Sequence, residues 1–114
     1  MKVSDAIEGD VGIFELSGKI MGGDESTLFF GKIREYLNYH KLNFVIDMKD
    51  VLWSNSLGLG MLIAALATVK KADGQMVLAN VTNVQDLLAM TQLIRVFETY
   101  DSREEAMQSF AVTV

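Results

Sequence analysis

The feature that most constrains this chain is an unbroken apolar run of 13 residues, 57–69 (LGLGMLIAALATV). It is long for a single strand, and short of the ~20 apolar residues a helix needs to cross a bilayer. A run of that length predicts a helix buried on most of its surface. Short, mostly apolar stretches flank it: Phe44-Val45-Ile46-Asp47-Met48 before it and Met76-Val77-Leu78-Ala79 after it. Such stretches are what strands covered on both faces look like. Strand, helix and strand in that order predict a parallel pair joined by a right-handed crossover, and the other elements must pack round that unit.

Before it, residues 3–7 and 11–16 are β-like runs separated by Glu8-Gly9-Asp10, which predicts a hairpin. Met21-Gly22-Gly23-Asp24 makes a flexible bend. Phe29, Ile33, Tyr36, Leu37 and His40 then recur at helical spacing over residues 25–40. Residues 49–55 read as a loop into the apolar helix, expected over 56–72 and stopped by Asp73-Gly74, with Lys70 and Lys71 favourable in its last turn.

Further on, Thr82-Asn83-Val84-Gln85 has the form of a capping box, followed by Val84, Leu87, Leu88 and Thr91 on one face. Val96-Phe97 predicts a last short strand. Ser102-Arg103-Glu104-Glu105 is a second capping box, opening a helix that points Ala106, Met107 and Phe110 inward. The expected order is ββαβαβαβα. It describes a single α/β domain over residues 1–114, with a four- to five-stranded, mostly parallel mixed sheet and about four helices. Ile46, Leu62, Leu66, Val77, Leu78, Leu88 and Phe97 are the expected core.

Composition excludes several functions. Ten Lys and Arg against fifteen Asp and Glu give a net charge of −5, without the clustered cations that neutralise nucleic-acid phosphates. With no cysteine there is no disulfide framework, thiolate metal site or thiol nucleophile. The opening Met1-Lys2-Val3-Ser4-Asp5 has no apolar signal core, so the expectation is a cytoplasmic chain with no membrane insertion. The one histidine, His40, falls at a helix end and supports no catalytic set. Gly58-Leu59-Gly60 starts like a dinucleotide fingerprint, but Ile63 stands where its third glycine belongs. Gly18-Lys19 and Gly31-Lys32 are each followed by isoleucine, so no phosphate-loop lysine pair exists. Asp47 lacks the further carboxylates and the late-strand lysine of a phosphoryl-accepting receiver. No enzyme, metal or cofactor is expected.

The segment with functional content is Trp53-Ser54-Asn55-Ser56-Leu57-Gly58. It follows the carboxyl end of a predicted parallel strand, where open α/β sheets bind ligands and partners. Ser56 falls at a helix start, where N–H groups and the helix dipole favour an anion and a phosphoryl group would change the local charge by about −1.5 to −2. Either Asn55 or Ser56 simply caps the helix, worth ~1 kcal/mol, or Ser56 is a switch.

Val45-Ile46-Asp47-Met48 leading into Asn55-Ser56-Leu57-Gly58-Leu59-Gly60 resembles the hallmark of the STAS domain family: strand, Asp-Ser-Ser/Thr-Gly-Leu-Gly, helix. Leu16-Ser17-Gly18-Lys19-Ile20, Gly74-Gln75-Met76-Val77-Leu78, Leu93-Ile94-Arg95-Val96-Phe97 and Glu104-Glu105-Ala106 extend the likeness over nearly the whole chain. The resemblance is to the stand-alone bacterial anti-sigma-factor antagonists in particular. It implies binding to an anti-sigma factor with serine kinase activity, phosphorylation at Ser56, and resetting by a serine phosphatase. It also implies a docking face made of Met21, Gly22, Gly23, Asp24, Trp53, Ser54, Asn55, Ser56, Leu57 and Gly58, with Trp53 either on that face or anchored beneath it. Asn55 stands where the family has aspartate, and Leu57 where it has a second hydroxyl residue. Those departures point to an alternative: an unphosphorylated STAS scaffold or binding subunit of a signalling or membrane-lipid transport complex.

Overall fold

The computed structural model describes residues 1–90 and 95–110. Gly9, at φ 60°, and Asp10 form the two-residue turn between strands β1 (Lys2–Glu8) and β2 (Val11–Ile20). Glycine at the first turn position matches a primed hairpin turn, whose twist suits antiparallel strands. The pair runs from Glu8↔Val11 to Lys2↔Ser17. β3 (Asn43–Ser54), β4 (Gln75–Ala79) and β5 (Thr99–Tyr100) are each parallel to their neighbour, so the sheet is mixed, with five strands in the order β1-β2-β3-β4-β5. Helices α1 (Asp24–Asn38), α2 (Ser56–Lys71), α3 (Gln85–Met90) and α4 (Arg103–Gln108) make the connections or close the chain.

Each strand feeds both faces of the sheet. Phe14, Leu16, Phe44, Ile46, Met48 and Leu78 join Phe29 and Ile33 of α1 and Leu59, Leu62 and Leu66 of α2 in the larger core. Val11, Ile13, Val45, Val77 and Ala79 form a smaller one on the other side, covered by Ala106 of α4 with Tyr100, Met107 and Phe110 packed around it. This is why the central strands are apolar throughout rather than alternating. All seven expected core residues are buried.

Several expectations need correction. Residues 49–54 are not a loop: β3 continues to Ser54 alongside β2, which itself reaches Ile20. Register shifts between Glu15 and Ser17 and between Gly18 and Lys19 break the two-residue alternation there, so the sequence pattern does not look like a strand. The last strand is Thr99–Tyr100 rather than Val96-Phe97; Phe97 is buried from a bend instead. Thr82 opens no capping box, because residues 82–84 form a 3-10 turn and α3 starts at Gln85. The second box does form its cap, with the Glu105 N–H donating to Ser102 Oγ at 3.1 Å. Asp73, at φ 65°, takes the left-handed position after α2, and His40, at φ 62°, takes it after α1. Thr91, Leu93, Ile94 and the Leu87 side chain lie outside the described residues.

Candidate functional site

Because β2 and β3 are parallel, their carboxyl ends finish side by side, with Lys19 opposite Trp53 and Ile20 opposite Ser54. β2 then runs into Met21, Gly22 and Gly23 and so to α1, while β3 enters α2 through Asn55 alone. The two exits are tied together. The Asn55 N–H donates to the Ile20 carbonyl at 3.3 Å, and Gly22 lies against Leu57, where an added Cβ would come within 3.2 Å of Leu57 Cβ.

Asn55 is the cap of α2. It is extended (φ −109°, ψ −178°), its Oδ1 accepts the Gly58 N–H at 2.8 Å, and its carbonyl accepts the Leu59 N–H at 3.1 Å. That settles the choice of cap and leaves the Ser56 hydroxyl out of it. Ser56 is exposed at the first position of the helix, where N–H groups have no acceptor one turn earlier.

Gly58 has a packing reason to be glycine. A Cβ there would overlap the Ile20 carbonyl and lie 2.7 Å from Ser54 Oγ. Gly60 has none, since its missing Cβ would meet nothing within 4 Å.

The surface round Ser56 is apolar and open. Leu57 is 73% exposed, Met21 50% and Trp53 48%, so Trp53 belongs to the surface and is not anchored beneath the segment. Exposed apolar side chains on neighbouring segments mark interaction surfaces more often than isolated ones do. Gly23 and Asp24 are also exposed, and Gly22 and Asn55 are half-buried. Ser54 and Gly58 are buried, and Ser54 Oγ donates to the Asn55 carbonyl at 3.1 Å, so these two support the surface from below. Sequence reasoning passed over Leu52, which is 69% exposed next to Trp53 on the projecting end of β3.

A polar cluster elsewhere was also missed. Asp47 is buried and accepts hydrogen bonds from the Lys49 N–H (3.0 Å), Asn80 Nδ2 (2.9 Å) and Arg103 Nε and Nη2 (3.1 and 3.0 Å). Arg103 Nη2 also pairs with Glu15 at 2.6 Å. Burial raises the Asp47 pKa, but the hydrogen bonds from Asn80, the Lys49 N–H and Arg103 outweigh it and hold the carboxyl below its ordinary value. The cluster fills the floor of a polar cleft of about 430 Å³ and ties α4 to β3 and β4. A lone aspartate in an apolar strand was the available signal, but nothing local indicated its partner 56 residues away. Among the described residues no group of acidic or histidine side chains is arranged to hold a metal ion, and no helix is long and apolar enough to cross a membrane.

The model of the STAS domain family matches residues 2–106. Searching curated proteins returns no match. Among solved structures, a proposed anti-sigma factor antagonist from Thermotoga maritima is similar at 23% identity and a TM-score of 0.84, over 96% of this chain and 94% of that one. The anti-sigma factor antagonist SpoIIAA of Bacillus, unphosphorylated, is similar at 12% identity and 0.75, over 99% and 100%; its phosphorylated form has also been solved. A sulfate transporter family protein from Wolinella succinogenes is similar at 15% and 0.70, over 91% and 87%.

Proposed function

Because the chain belongs to the STAS domain family, we propose that it is a non-enzymatic cytoplasmic regulator that binds an anti-sigma factor with serine kinase activity and is switched by phosphorylation at Ser56. One observation carries this reading. Ser56 stands exposed and free of capping duty at the start of α2, next to the exposed Leu57 and near Met21 and Trp53. The likeness to antagonists from Thermotoga and Bacillus supports the same reading.

The switch follows from desolvation. An unmodified Ser56 lets Met21, Trp53 and Leu57 be covered by a partner at little polar cost. A phosphoryl group on Ser56 Oγ would put about −1.5 to −2 charges in the middle of that contact, and an unpaired charge is costly to bury. A serine phosphatase would then restore binding.

The test begins with capture of the partner from the native cytoplasm and mass spectrometry of both the captured protein and the Ser56 peptide. Calorimetric titration of that partner should find Ser56→Ala binding like wild type, and Ser56→Asp binding about tenfold more weakly, or ~1.4 kcal/mol. Equal binding by both variants, with wild-type Ser56 never phosphorylated, would replace this reading with an unswitched scaffold. Asn55 and Leu57 at the hallmark positions favour that second reading, as does the likeness to the Wolinella protein. Asn55→Asp addresses the first departure: if the family's aspartate assists phosphoryl transfer, the variant should be phosphorylated faster by the cognate kinase. An unchanged rate would mean that the asparagine is no handicap here.

A further inference from the structure

The geometry points to a second interaction surface, the outer edge of β1, and to a second copy of this chain as its occupant. β1 is the first strand of the sheet, and among the described residues nothing pairs with its outer side. Six of its seven residues are exposed, including Ile7 at 51%. A strand edge of this length presents a row of backbone donors and acceptors that templates pairing with another strand.

The hairpin dictates which residues offer those groups. The two-residue turn Gly9-Asp10 closes on the Glu8↔Val11 pair, so the backbone of Glu8 points toward β2. By alternation, so do those of Ala6, Ser4 and Lys2. The outward groups are therefore those of Val3, Asp5 and Ile7. Two copies of β1 can meet antiparallel about a two-fold axis at Asp5, which opposes Val3 to Ile7, Asp5 to Asp5 and Ile7 to Val3. All three pairs have their backbone groups facing across the seam.

Side chains in that register are largely self-complementary. Lys2 of each copy stands opposite Glu8 of the other, giving two opposite-charge pairs on the α4 side of the sheet. Neither residue takes part in an ion pair among the described residues. Val3 faces Ile7 twice on the α1 side, where Ile7 adjoins a cavity lined by Tyr36 and Tyr39. Asp5 is the one opposed feature, placing two carboxylates near the axis, although each already accepts the Tyr36 hydroxyl at 2.6 Å. The product is a ten-stranded sheet (five strands from each copy) whose two β2 strands run in opposite directions, so the two Ser56 surfaces face away from each other and both remain open.

Sedimentation velocity of the full chain, over a concentration series into the millimolar range, tests the inference. Wild type should pass from monomer to dimer. Lys2→Glu sets glutamate against glutamate twice and should weaken the dimer about tenfold or more, while Lys2→Glu with Glu8→Lys should restore it. Asp5→Asn removes the like-charge pair while keeping an acceptor for Tyr36, and should tighten the dimer several-fold. Circular dichroism on each variant at monomeric concentration confirms that the fold is intact. A wild type monomeric throughout the series overturns the proposal, and so does a dimer indifferent to both Lys2→Glu and Asp5→Asn.

Discussion

At the residue scale, the two glycines of the hallmark do different jobs. Gly58 lets α2 start against the Ile20 carbonyl, and its Cβ would also crowd Ser54 Oγ. Backbone on one side and a buried side chain on the other leave little room to yield. Gly58→Ala should therefore destabilise the domain by about 1–3 kcal/mol. Gly60 is an exposed helical residue with open space around its missing Cβ, and alanine suits a helix interior better than glycine. Gly60→Ala should stabilise by up to ~1 kcal/mol. Denaturant unfolding of both variants measures the pair of signs. Losses of similar size at both positions would contradict the packing described for α2.

At the scale of elements, α4 has only six residues and is held by contacts beyond its own hydrogen bonds. Ala106 supplies the apolar contact and Arg103 the polar one, through Asp47 and Glu15. The sign of the pH dependence follows from Asp47. Its folded pKa lies below the ordinary 3.8, so its contribution is present above that value and is lost as pH falls through the lower, folded one. Arg103→Ala leaves Asp47 without its cation and should cost about 2–4 kcal/mol at neutral pH. As pH falls through that lower value the Asp47–Arg103 pair is lost in wild type as well, so the difference between the two proteins should shrink. Parallel denaturation curves at neutral and acid pH check this. A gap that stays constant would place the loss in packing rather than in the ion pairs.

For the whole molecule, binding and stability should respond to charge at Ser56 with opposite signs. The Asn55 side chain caps α2 without help from Ser56, and Ser56 is outside both cores. A carboxylate at that first helical position sits at the positive end of the helix dipole and stabilises by about 0.3–1 kcal/mol. Ser56→Asp should thus raise the melting temperature by roughly 1–5 °C while weakening partner binding. Amide chemical shifts should move around residues 20–24 and 53–60 and stay in place in β4 and α4. A melting temperature that falls, or shifts that spread to α4, would mean that charge at Ser56 acts by rearranging the fold rather than by opposing a partner locally.

Much of this protein is legible in short windows of sequence, because the physics there is short-ranged. The hairpin follows from Glu8-Gly9-Asp10, the buried crossover helix from an apolar run between two apolar strands, and the cap at Ser102 from a four-residue motif. Asn55 and Ser56 could be placed at a helix start for the same reason. Other features depend on which segments meet. β3 reaches Ser54 because β2 pairs with it through two register shifts, and those shifts erase the alternation that would have marked the strand. The last strand falls at Thr99–Tyr100, where the Leu78 N–H donates to the Glu98 carbonyl and the Asn80 N–H to that of Tyr100. Phe97 goes to the core from a bend instead. Asp47 is an unexplained acid in a strand until Arg103 arrives from α4, and Trp53 is neither surface nor core until the exits of β2 and β3 are set side by side. A local pattern records how often a residue turns toward the interior, whereas the identity of what it meets there depends on the closure of long chain loops, which no short window contains.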